Sequence, residues 1–341
     1  MRAGLAVADG RPGPSAIAPP EARGIARDGV RLLVSRDRGH EHAVFRDLPS
    51  LLPPGALLVV NRSATLPASL PATARFGSFV LNLSTRYGER LWLAEPRWTA
   101  AVEGPVPIAV GEGFEAAGCP ARLVAPFPGV PRLAFVAFEG SIERAMAEEG
   151  EPIRYDHVSP PYPPLAAYQT VFSEVPGSAE MPSAGRPFTP GVLAGLRRRG
   201  IRTMPVELHA GVSTLEGGEA GLVPGAVVVP PETAAAVNRA RAAGEAVIAV
   251  GTTVVRALET AWDGSRVQAI EGFTRRFVHA GRRVRSVDGL ITGFHEPTAS
   301  HIAMLEAVGG AALVRDAYRA AVRGGYLWHE FGDSHLILSR R

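Results

Sequence analysis

Two histidines, His209 and His295, stand where apolar, strand-like runs give way to loops, in IRTMPVELHAGVST and DGLITGFHEP. Imidazole is the side chain whose ordinary pKa lies nearest neutrality. A histidine at such a tip is therefore a candidate general acid or base. A third run, VIAVGTTVVRALE (residues 247–259), drives four apolar residues into Gly251-Thr252-Thr253 and then continues in a helical pattern. Gly251 permits a tight turn, and Thr252 or Thr253 can cap the helix that follows. Free backbone N–H groups at that turn favour a carboxylate, a phosphate or a hydroxyl-rich ligand. An ordinary helix cap has the same spacing.

The run FTRRFVHAGRRVRS (residues 273–286) holds Arg275, Arg276, Arg282, Arg283 and Arg285. Folded as a hairpin around Ala280-Gly281, it would set several guanidinium groups on one ribbon, which suits a phosphate backbone. A charged sheet edge that discourages strand pairing reads the same way. The chain contains no lysine, so any anion site is built from arginine, the better fork for phosphate and carboxylate. The formal net charge is only +3, from 36 basic and 33 acidic side chains, and that balance alone predicts no nucleic-acid partner. One cysteine, Cys119, excludes an intramolecular disulfide and any multi-cysteine zinc site. His40 and His42 have no carboxylate or cysteine partner at metal-ligand spacing. HExxH, GxGxxG, the P-loop and GxSxG are absent.

The elements that must position these residues follow from the patterning. Residues 1–22 are rich in Ala, Gly and Pro and read as loose. Strands are expected at 30–36 and 56–60. From about 75 to 150 the texture changes to alternating apolar and polar residues with a turn at Tyr87-Gly88, which reads as an inserted all-β, barrel-like domain. The proline-rich HVSPPYPPL is an extended linker. An α/β rhythm follows: Thr189-Pro190 opens a helix and Gly200 ends it, then Pro231 opens another and Gly244 closes it. The expected fold is α/β. A main domain at 23–74 and 151–341 has a largely parallel sheet with flanking helices, and residues 75–150 interrupt it. In such sheets ligands sit at the carboxyl ends of strands, where His209 and Gly251-Thr252-Thr253 fall. The N-terminus lacks an apolar signal core and no run approaches a membrane span, so a soluble cytoplasmic protein is expected.

The order of several motifs resembles the S-adenosylmethionine:tRNA ribosyltransferase-isomerases of queuosine biosynthesis. The matching pieces are DLPSLLPPGALLVVN, YQTVF, PGSAEMPSAGRPFT, LHAGVSTL, VIAVGTTVVRALE, VDGLITGFHEP and the final Gly332-Asp333. The resemblance implies an α/β domain carrying a small β-barrel, with S-adenosylmethionine as cosubstrate and no tightly bound cofactor. Its ribosyl part moves to the aminomethyl group of a 7-deazaguanine base in tRNA, and adenine and methionine leave. The sulfonium acidifies the neighbouring ribose C5′–H, which a general base removes. His209 and His295 are then the acid/base candidates. Gly251, Thr252, Thr253 and Arg256 become cosubstrate contacts, with Tyr168 and Phe188 as aromatic walls around the sulfonium. Arg275, Arg276, Arg282 and Arg283 become a tRNA surface. The chain also departs from the family pattern. Ala64 and Ser69 stand where arginines are expected, Pro187 replaces a histidine, and a lysine is missing after His295. Those losses leave open a paralogue with a small-molecule acceptor, or one that cleaves the cosubstrate alone, and also a non-catalytic binding relative.

Overall fold

The computed structural model describes residues 13–37, 39–99, 104–212, 223–278, 281, 283–296 and 300–338. The chain enters the main domain with β1 (Arg31–Arg36), β2 (Gly39–Val44), the short α1 (Leu48–Leu51), β3 (Leu57–Asn61) and β4 (Ser63–Thr65). Six strands then close into a barrel: β5 (Ser69–Ala74), β6 (Gly77–Arg86), β7 (Leu91–Arg97), β8 (Gly113–Ala116), β9 (Cys119–Pro126) and β10 (Ala134–Phe138). Alternation writes this barrel directly. In β9 the residues Cys119, Ala121 and Leu123 turn inward while Pro120, Arg122 and Val124 face out. The barrel begins at Ser69, ahead of the expected boundary at 75, because β5 pairs with β6 from Ser69 onward. Helix α2 (Ile142–Glu149), capped by Ser141, closes the insertion.

The return to the main domain runs through β11 (Val175–Ser178), which pairs with β4 alone. Next come α3 (Pro190–Arg198), β12 (Arg202–Leu208), β13 (Gly225–Val229), α4 (Pro231–Ala242), β14 (Val247–Val250) and α5 (Thr252–Thr260). The chain ends with β15 (Ile270–Thr274), β16 (Gly289–Gly293), α6 (Ser300–Gly309), α7 (Ala311–Arg323) and β17 (Ser334–Leu338). Nine strands form one sheet in the order β15-β13-β12-β3-β14-β16-β17-β1-β2. Its middle, β12-β3-β14-β16, is parallel throughout. Antiparallel pairs frame it on both sides. The parallel strands are the most buried: β3 and β14 have no exposed residue, as strands covered on both faces require.

The segment expected to be loose is pinned from Gly13 onward. Ala16 is buried and donates its N–H to the Trp328 carbonyl. Glu21 meets Arg186, whose side chain is only 3% exposed, at 2.9 Å. A guanidinium buried that deeply needs a counter-charge, and the N-terminal segment supplies it.

His335 on β17 is fully buried, stacked on Phe294 at 5.4 Å, with Nε2 at 2.8 Å from Ser35 Oγ. Burial, and then His40 nearby, push its pKa down to about 3. Below the ordinary value near 6.5 the unfolded chain takes up a proton that the folded chain refuses. Stability is therefore complete above that value and falls as the pH drops toward 3. Between pH 6.5 and 5 the expected loss from this residue alone is roughly 2 kcal/mol. Denaturant unfolding at pH 7.5 and 5 measures it. A slope unchanged in His335→Gln would show that other groups carry it.

Candidate active site

Three strand tips and one helix start converge at the carboxyl edge of the parallel strands, and a single side chain fastens them. Asn61, the last residue of β3, is 4% exposed. Its Nδ2 donates to the Leu208 carbonyl (2.8 Å) and to Thr253 Oγ1 (3.3 Å). Its Oδ1 accepts from the N–H groups of Leu208 and Ser63, both at 3.1 Å. The amide thus ties β3, β12, β4 and α5 together with four bonds.

One residue beyond Leu208, His209 is half-buried. Its Nδ1 lies 2.7 Å from Ser63 Oγ, and Ser63 Oγ lies 2.6 Å from Ser178 Oγ. The Ala210 N–H reaches Ser178 Oγ at 3.0 Å. Gly177 covers one face of the imidazole: a Cβ there would lie 2.4–2.5 Å from Cε1, Nδ1 and Nε2. Burial lowers the His209 pKa, and Glu207 partly offsets that. Glu207 is itself held by Arg62. The barrel grips the same loop, since Ser84 Oγ accepts the Val212 N–H and Thr85 Oγ1 donates to the Pro224 carbonyl.

Gly251 is the turn at the tip of β14. Its φ of 97° is a left-handed conformation that glycine adopts without strain. The expectation that Thr252 or Thr253 caps the helix is corrected: Gly251 is the cap residue and neither hydroxyl makes a cap bond. Thr253 Oγ1 is engaged by Asn61, and both threonines are half-buried. The first two N–H groups of α5 belong to Thr252 and Thr253 and have no partner within the helix.

His295 follows β16. Its ring stacks on His301 at 4.3 Å, its Nε2 is 3.4 Å from Thr292 Oγ1, and its N–H reaches the Tyr318 hydroxyl. Burial, then His301 and His329, hold its pKa well below the ordinary value. Both edge histidines are thus neutral at pH 7. Across the sheet order they are three strand steps of about 4.8 Å apart, roughly 14 Å in all. They cannot share one proton, but they can flank a nucleoside-sized ligand with Gly251 between them.

Other expected residues go elsewhere. Phe188 is fully buried between Phe45 and Phe172, at 5.0 and 5.1 Å, so it is core and not a wall. Tyr168 is 3% exposed and meets Phe331 edge-on, and burial pushes its hydroxyl up to about 12. Arg256 reaches the β13–β15 end of the same edge, where main-chain carbonyls occupy it. Its Nη2 donates to the carbonyls of Val223 (3.0 Å) and Thr274 (2.8 Å), where burial lowers its pKa. The arginine ribbon is not a hairpin among the described residues. Arg275 lies over Phe127 of the barrel at 5.8 Å. Arg283 and Arg285 border a cavity of about 460 Å³ with Glu259, Trp262 and Asp263, and Arg282 lies outside the described residues. Asn61, Ser63, Gly177 and Ser178 were not singled out by sequence. A polar asparagine closing the apolar run LLVVN, and the Pro-Gly-Ser of PGSAEM, were the available signals.

The family of queuosine biosynthesis proteins matches residues 14–337. The chain belongs to that family. A relative from Anaeromyxobacter sp. (strain Fw109-5) named S-adenosylmethionine:tRNA ribosyltransferase-isomerase is 38% identical over 328 residues, covering 91% of this chain and 92% of the relative. One of the same name from Thermus thermophilus is 37% identical over 346 residues, covering 92% and 93%. The crystal structure of the S-adenosylmethionine tRNA ribosyltransferase of Thermotoga maritima superposes with a TM-score of 0.51 at 27% identity, covering 95% of this chain and 96% of that one. These relatives are matched along nearly their whole length. No helix among the described residues is long and apolar enough to cross a membrane.

Proposed function

We propose that this chain is an S-adenosylmethionine:tRNA ribosyltransferase-isomerase. It moves and rearranges the ribosyl moiety of S-adenosylmethionine onto a 7-aminomethyl-7-deazaguanine base in tRNA, releasing adenine and methionine, in the cytoplasm. The observation that carries this reading is full-length similarity at 38% identity to a curated relative of that name. The edge geometry supports it. A sulfonium nucleoside is a cation with a sugar and a carboxylate, and the edge offers neutral imidazoles, which do not repel the sulfonium. It also offers the N–H groups of Thr252 and Thr253 for the oxygens. His209 and His295 act on the two ends of that ligand.

Incubation with S-adenosylmethionine and tRNA bearing the aminomethyl base is expected to release adenine and methionine in equal amounts. Release without tRNA would favour a different acceptor, and no release would remove the proposal. Arg275 and Arg283 are exposed, and with Arg276 they are assigned to tRNA phosphates. Arg275→Glu and Arg283→Glu are each expected to weaken tRNA binding about tenfold at low salt and to reduce the salt slope by about one. The KM for S-adenosylmethionine should not change. Filter binding across a salt series reads this, and an unchanged slope would detach these arginines from the RNA.

A further inference from the structure

The geometry points to Ser63 as a positioning residue that holds His209 in one tautomer, with the proton on Nε2, so that His209 meets its ligand as a hydrogen-bond donor and not as a base. Three contacts form a line: Ala210 N–H to Ser178 Oγ at 3.0 Å, Ser178 Oγ to Ser63 Oγ at 2.6 Å, and Ser63 Oγ to His209 Nδ1 at 2.7 Å. Both serines are 0% exposed, so water cannot take up a stray proton.

Three proton orders can be written for that line, and in the third both the Nδ1–H and the Ser178 hydroxyl donate to Ser63, whose own proton then has no acceptor among the hydrogen bonds of the described residues. In the first, the Ala210 N–H donates to Ser178, Ser178 donates to Ser63, and Ser63 donates to Nδ1. Each hydroxyl then gives one bond and receives one, and the imidazole proton sits on Nε2. In the second, an Nδ1–H donates to Ser63 and Ser63 donates to Ser178. Ser178 then accepts twice, and its own proton needs another acceptor, which none of the hydrogen bonds of the described residues provides. A buried hydroxyl proton without an acceptor is costly. The direction is set at its start by a main-chain N–H, which can only donate. Gly177 holds the ring face and Ser63 holds Nδ1, which leaves Nε2 as the nitrogen free to meet a ligand.

A donor at this position suits a ligand oxygen or nitrogen that gains negative charge, and it cannot abstract a proton. On the reading of the previous subsection, proton removal then falls to the other end of the ligand, where His295 lies, and His209 stabilises the departing or ring-opened end. The tautomer itself does not depend on that reading, and neither does its first test. Histidine labelled with 13C and 15N in the intact chain, without substrate at pH 8, reports which nitrogen carries the proton. The His209 signals are assigned by their loss in His209→Gln. The Nε2–H form is expected to dominate by about tenfold or more, to give way to a mixture in Ser63→Ala and to return in Ser63→Thr. A dominant Nδ1–H form in the unsubstituted protein, or a ratio unchanged in Ser63→Ala, would overturn the assignment. A second readout uses adenine release. His209→Gln places an amide donor near the position of Nε2 and is expected to keep at least tenfold more activity than His209→Ala. Equal loss in the two variants would speak for a base and against a donor.

Discussion

Asn61→Ala is expected to lower stability by about 3 kcal/mol and adenine release by at least about 100-fold. Removing the amide strands the N–H and C=O of Leu208 and the N–H of Ser63, all met by Asn61 in the native chain. Unsatisfied buried main-chain groups cost on the order of 1–3 kcal/mol each, and some relaxation offsets the sum. The effect on activity has the same origin. Leu208 precedes His209, Ser63 holds His209, and Thr253 lies in the first turn of α5, so the amide sets the relative placement of the groups proposed to meet the ligand. Asn61→Asp is the sharper variant. It keeps the shape and the acceptor for Leu208 and Ser63 but loses both donations, and it sets a carboxylate against the Leu208 carbonyl. Equilibrium unfolding in urea gives the first number and chromatographic adenine release the second. A variant of normal stability and turnover would remove Asn61 from the centre of the site.

The sequence showed the scaffold far better than the site, and the reason is physical. Elements are written by local periodicity. Alternation in β9, the Thr189-Pro190 start of α3 and the glycines after α3 and α4 can each be read from a few neighbouring residues. The hydroxyl of Thr189 does cap α3 through the Val192 N–H. The strand tips were legible too, because an apolar run that ends in a small or polar residue marks where a buried strand meets a loop. His209, His295 and Gly251 all fall on one edge for that reason.

What failed depended on partners far away in the chain. Phe188 and Tyr168 are as aromatic as a ligand wall should be, and nothing local says that Phe45, Phe172 and Phe331 will seal them. Arg256 lies one turn into α5, yet its Nη2 is taken up by the carbonyls of Val223, just before β13, and Thr274, the last residue of β15. The bonds that shape the site span 146 residues between Ser63 and His209 and 192 between Asn61 and Thr253. No pattern within one segment encodes them. The barrel insertion separates the halves in sequence and brings them together in space, since β4 and β11 lie on opposite sides of it and pair with each other.

That pairing makes Gly177 the residue whose change is expected to act most directly on catalysis. The register of β11 against β4 shifts between Pro176 and Ser178, so Gly177 is the extra residue of an irregular step. Its Cα lies against the imidazole of His209. In Gly177→Ala the new methyl would sit 2.4–2.5 Å from three ring atoms, closer than any stable contact. The ring cannot swing freely aside, because Ser63 holds Nδ1, so either the imidazole or the β4–β11 pair must shift. Overpacking of this kind costs about 1–3 kcal/mol, and a displacement of roughly 1 Å at a reacting centre costs on the order of 100-fold in rate. The variant should therefore fold, with a modest drop in melting temperature, and release adenine about 100-fold more slowly. The double variant Gly177→Ala/His209→Ala separates the two causes. If the alanine acts through His209, the pair should be no slower than His209→Ala alone, a strong departure from additivity. Additive losses would mean that Gly177 matters for the β4–β11 pair itself, and that the packing of this glycine on the imidazole has no part in turnover.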